Sequence, residues 1–108
     1  MEIKQSDKYC IIKPLCPKIT KREAERLIYE AENQDKTPAF DMSFVNDCTI
    51  DFIELSKNIK NLSLFNINSD IFSLFLSMNL DKRFKLFVSE LDFLEDKHQL
   101  INRKFSLV

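Results

Sequence analysis

Residues 39–60 read AFDMSFVNDCTIDFIELSKNIK. Ala39 to Val45 is apolar enough for a short buried strand. Asn46-Asp47-Cys48-Thr49 is a polar turn. From Ile50 onward, Phe52, Ile53, Leu55 and Ile59 fall at helical spacing and make one apolar face, and Asn58 to Asn61 ends the helix. Asp47 or Thr49 can serve as the N-cap, with Asp51 placed against the positive end of the helix dipole. A strand's carboxyl end meeting a helix amino terminus marks the crevice where open α/β sheets carry their functional groups.

Working outward toward the amino terminus, residues 1–8 are polar and read as a flexible, frayed start. Tyr9 to Leu15, YCIIKPL, has the continuous apolar centre of a strand buried on both faces, ended by Pro14 and Pro17. Thr20-Lys21-Arg22-Glu23 is a capping box, opening a helix that runs to about Asn33. Ala24, Leu27, Ile28 and Ala31 form its apolar face. Residues 34–38 are a turn.

Toward the carboxyl terminus, Leu62 to Ile67 reads as a third strand, and Asn68 or Ser69 caps a helix from Asp70 to about Asn79. That helix is apolar nearly all round, which predicts either deep burial or an apolar patch offered to a partner. Leu80 to Arg83 connects it to a fourth strand, Phe84 to Val88. Ser89 caps a short acidic helix, Glu90 to about Lys97, expected to bury Leu91 and Leu94 with Phe93 nearby. Residues 99–108 form an extension with β-like patches at Leu100-Ile101 and Phe105 to Val108, read as an added edge strand. The order βαβαβαβα(β) predicts one α/β domain over residues 9–98, with a mostly parallel four- to five-stranded sheet and about four helices.

The chain has 108 residues, 44% of them hydrophobic and 31% charged, which suits one soluble globule with one core. A net charge of -1 supplies no basic field, so no nucleic-acid partner is expected. There is no glycine, which excludes G-x-G-x-x-G and P-loop phosphate cradles. The three cysteines, Cys10, Cys16 and Cys48, stand far apart and His98 is the only histidine, so no metal site or cofactor is expected. The first residues lack a basic-then-apolar signal pattern, and the odd cysteine count suits reduced thiols, so the expected location is cytoplasmic. The apolar stretch from Ile71 to Leu80 is too short to span a bilayer. Glu90, Asp92, Glu95 and Asp96 run along one short helix and read as a solvated face. Cys48 at a helix start could have a lowered pKa, although a small capping-turn residue is the plainer reading. No catalytic signature appears, and an enzyme is not expected.

Several ordered marks resemble the STAS domain of bacterial anti-sigma factor antagonists, stressosome proteins and sulfate-type transporter tails. Leu15 and a turn, then Thr20 and the EAERL run from Glu23 to Leu27, resemble its first strand and helix. Phe40-Asp41-Met42-Ser43 with Val45 resembles its second strand. Leu64 to Ile67 and Met78-Asn79-Leu80-Asp81-Lys82 resemble its closing segments. The family's Asp-Ser-Ser/Thr-Gly signature falls on Thr49-Ile50-Asp51-Phe52 without gaps, or on Asp47-Cys48-Thr49-Ile50 with a turn two residues shorter. Neither register supplies the phosphoacceptor serine or the glycine, and Thr49 is the one hydroxyl within the signature in both. The resemblance implies a non-enzymatic, protein-binding regulator of transcription or signalling. Its surface would be Asn46, Asp47, Thr49 and Asp51 with Glu54 and Lys57 on the helix, and Thr49 is the candidate for modification. The implied partner is a kinase-type anti-sigma factor, and a homodimer is also possible. The first alternative is a structural STAS subunit of a transporter or stressosome-like assembly. The second is a small phosphotransfer enzyme using Cys16, which lies at the exit of the first strand near Lys18.

Overall fold

In the computed structural model, which describes residues 1–95, each strand of the main sheet is laid beside the one before it. β1 (Glu2–Gln5) and β2 (Tyr9–Lys13) form an antiparallel hairpin, with Ile3 opposite Ile12 and Lys4 opposite Ile11. A two-residue strand, β3 (Lys18–Ile19), leads into helix α1 (Lys21–Glu32). β4 (Thr37–Asp41) returns parallel to β2. β5 (Asp47–Cys48) pairs parallel with β3 and opens α2 (Ile50–Ser56). β6 (Ser63–Phe65), α3 (Ser69–Ser77), a 3-10 turn (Leu80–Lys82), β7 (Lys85–Leu86) and α4 (Glu90–Leu94) complete the described chain. The main sheet is mixed but mostly parallel, in the order β1-β2-β4-β6-β7, and β3-β5 is a separate two-stranded ladder. The described residues form a single α/β unit with four α-helices.

Residues 1–8 are therefore not a frayed start. Their alternation of polar and apolar side chains suits an edge strand, and Ser6 closes the hairpin by donating its N–H to the Tyr9 carbonyl at 2.9 Å. The fifth strand of the sheet is thus amino-terminal. The edge strand expected within residues 99–108, and His98, lie outside the described residues.

Residues paired across a sheet project from the same face. Ile12, Phe40, Leu64 and Leu86 are paired in register and share one face. Phe52 of α2 covers this face, its ring 5.9 Å from Phe40, and α1 packs beside α2. Ile11, Ala39 and Phe65 project from the other face, where Phe93 of α4 lies against Tyr9, Phe65 and Phe87 at 4.6, 5.1 and 5.3 Å. Six phenylalanines, at 40, 52, 65, 72, 75 and 87, are fully buried. The helical face read from sequence on α1 is buried at all of Ala24, Leu27, Ile28 and Ala31.

Two expectations about apolar residues are corrected. Leu91 and Leu94 are 64% and 54% exposed, and Phe93 is the one buried side chain of α4, because one and a half helical turns present a single side chain squarely to the sheet. The α3 helix buries Ile71, Phe72 and Phe75, while Leu74, Leu76 and Met78 are half-covered. Its apolar circumference is thus divided between core and rim. Where a tight reversal needs positive φ, the glycine-free chain uses asparagine: Asn61, Asn66 and Asn79 sit at φ 59°, 58° and 58°.

Candidate functional site

The strand leading into the site is shorter than its apolar composition suggested. β4 ends at Asp41 rather than Val45. The buried Asp41 carboxylate accepts from the Ser43 N–H at 3.1 Å and from Asn66 Nδ2 at 3.0 Å, which turns the chain out of extension. The Val45 N–H then closes a tight reversal by donating to the Met42 carbonyl at 3.0 Å. Phe44 is left at the rim, 54% exposed, with the Lys13 ammonium 4.8 Å from its ring centre.

The segment expected to be a simple turn is held at several points. The Pro17 carbonyl accepts from the N–H groups of Asn46 and Asp47 at 2.7 and 3.1 Å. The Thr49 N–H and its hydroxyl both donate to the Ile19 carbonyl at 3.1 Å. On the other side, Asn68 Nδ2 donates to the carbonyls of Val45 and Asn46 at 3.2 and 3.0 Å. The same Asn68 side chain caps α3 by accepting from the Ile71 N–H at 2.8 Å. Residues 45–49 are thus fastened to the β3 segment and to the start of α3 together.

Thr49 occupies the N-cap position of α2, one of the two residues expected there, but its side chain makes no capping bond. Its hydroxyl is half-buried and committed to Ile19. Asp47 accepts from the Cys48 N–H at 2.9 Å and points to solvent. Asp51 lies in the first turn of α2, exposed. Further along the helix, Glu54 and Lys57 form an exposed ion pair at 3.3 Å, of a kind contributing at most about 0.5 kcal/mol. Asn46, Asp47, Asp51 and Glu54 are therefore all exposed, while Thr49 and Lys57 are partly covered. Among the described residues neither Asp47 nor Asp51 takes part in an ion pair. Ile50, between the acids, is 57% exposed. Sequence reading missed Ile50 and Phe44 as surface groups. Asp41-Met42-Ser43 was the available signal for Phe44, since an Asp that bonds the N–H two residues on is a turn former.

The cysteines are free thiols. Burial, with Asp47 adding to it, pushes the Cys48 pKa up to about 11. The lowering considered for a cysteine at a helix start is overridden by desolvation of a side chain that faces inward. Cys16 lines a cavity of about 180 Å³ with Pro14, Leu15, Glu23, Arg26 and Leu27. Its thiol is pushed up too, first by burial and then by the Glu23 carboxylate. A phosphotransfer nucleophile needs the opposite bias. The capping box expected beside it is not formed: the Thr20 hydroxyl donates to the Glu23 carboxylate instead of either side chain reaching the backbone.

No protein-family model matches the chain, and no curated protein matches it. Among the described residues no helix is long and apolar enough to cross a membrane.

Proposed function

We propose that the chain is a divergent STAS-like module that acts by binding another protein through the surface from Asn46 to Lys57. The observation that carries this reading is the combination of a fastened backbone with an outward-facing apolar side chain. Asn68, Pro17 and Ile19 hold five backbone groups on four residues of the segment, so little entropy is lost when a partner docks on it. From that support Ile50 projects between Asp47, Asp51 and Glu54, an apolar contact ringed by acids. Such a surface suits a partner with an apolar pocket and a basic rim. A kinase-type anti-sigma factor is the partner class that the resemblance implies.

A phosphate at Thr49 would have to break the hydroxyl's bond to Ile19 and enter a site already flanked by Asp47 and Asp51. Fixed acids there make a permanently charged binding state the better-supported version. The test is a quantitative pull-down from the native cell with wild type, Thr49→Ala and Asp51→Lys. Asp51→Lys is expected to lose the partner at least tenfold, and Thr49→Ala to retain it. An unchanged partner set in both variants would move the interface elsewhere. Incubation with the cognate kinase, followed by intact mass, is expected to leave the chain unmodified.

A further inference from the structure

The outer edge of β1 is unpaired among the described residues, because β1 ends the sheet. An open edge offers a row of N–H and C=O groups to any strand that fits it. Hydrogen-bond direction alternates along an antiparallel ladder. Since Ser6 donates to Tyr9, Lys4 and Glu2 point their backbone groups at β2, and Ile3 and Gln5 point theirs outward.

We propose that this edge pairs with the same edge of a second copy of the chain, antiparallel and with the two-fold axis at Ile3. The rule that facing residues must both point outward removes every register with the axis between residues. With the axis at Lys4, Lys4 would face Lys4 of the other copy, a like-charge pair. With the axis at Ile3, Ile3 faces Ile3, Met1 faces Gln5, and Glu2 faces Lys4 of the other copy, twice by symmetry.

The charges around this register extend the match. Within one chain Lys13 lies 3.8 Å from Glu2, and Lys4 lies 2.9 Å from Glu90. Pairing at Ile3 lines up Lys13 and Glu2 of one copy with Lys4 and Glu90 of the other, an alternating row of four charges on each side of the axis. Met1 and Ile3, both exposed large apolar residues, become covered. A net charge of -1 per chain opposes association little. The product is a ten-stranded sheet continuous across two copies. Four residues a side make a small contact, so dissociation in the micromolar range or weaker is expected. The inference is independent of the surface at residues 46–57.

The experiment is sedimentation velocity over a concentration series, with helical content checked by circular dichroism. Wild type should shift from monomer to dimer. Glu2→Lys alone places only positive charges at these positions, and Lys4→Glu alone only negative ones, so each should weaken self-association at least tenfold. An equimolar mixture of the two single variants restores both opposite-charge pairs and should dimerise like wild type. Amide exchange should slow at Ile3 and Gln5, but not at Glu2 and Lys4, as concentration rises. Wild type that stays monomeric throughout overturns the proposal. So does a dimer that neither single variant weakens, or one that mixing fails to restore.

Discussion

At the scale of the residue, burial decides what the site's side chains can do. Cys48 stands next to a helix start, which from sequence could have made it a reactive thiolate. Its side chain instead faces inward and is pushed from 9.0 to about 11. A thiol whose folded pKa lies above its unfolded one binds more protons in the folded state between the two values. Its contribution to stability is therefore intact below about pH 9 and is lost as pH rises toward 11. Urea midpoints measured from pH 8 to 11 should fall, and Cys48→Ala should flatten that fall while lowering the starting value. Below pH 9, Cys48 should react with iodoacetamide more slowly than an unfolded thiol. The sequence carried the position of this cysteine but not the direction of its side chain, since a two-residue strand pairing with Lys18–Ile19 leaves no periodic pattern to read.

At the scale of the element, the predicted helices came through well and the connections between them less so. Ala24, Leu27, Ile28 and Ala31 repeat over two turns in the i, i+3, i+4, i+7 pattern, which is long enough to be read without ambiguity. Ala39 to Val45 was read as one strand because composition counts apolar residues and not their hydrogen bonds. Asp41 bonding to Ser43 and Asn66 ends it early and moves Phe44 from core to rim. Asn68 was legible as one of two candidate caps, but its second task, holding the carbonyls of residues 45 and 46, depends on two distant segments meeting. Asn68→Ala removes both at once. It should cost about 1–2 kcal/mol by urea denaturation, more than a cap alone would average. Asn68→Asp keeps the acceptor for Ile71 and loses the donor, so it should restore α3 capping while leaving amide exchange at residues 45–49 accelerated.

At the scale of the whole molecule, the two faces of the sheet are unequally protected. One is covered by helices several turns long. The other, among the described residues, is covered by α4, whose one buried side chain is Phe93, set among three aromatic rings, with Glu90 paired to Lys4 at the rim. Phe93→Ala should cost about 3–4 kcal/mol and release α4, giving faster exchange at residues 90–95 with α1 and α2 still protected. An equal loss of protection on both faces would show the sheet to be one cooperative layer instead. The alternation of strands and helices was visible from sequence, yet the amino-terminal edge was not, because four exposed residues with a single apolar side chain among them resemble any exposed tail. The sequential order of the strands bears on how the protein is made. As the chain leaves the ribosome, each new strand of the main sheet finds its neighbour already formed, while β3 waits across β4 for its partner β5. Pairings between successive units close short loops at small entropic cost, which favours early and rapid folding. The growing edge moves away from β1 with every helix added, so the hairpin laid down first is also the surface longest available for a second newly made copy to find.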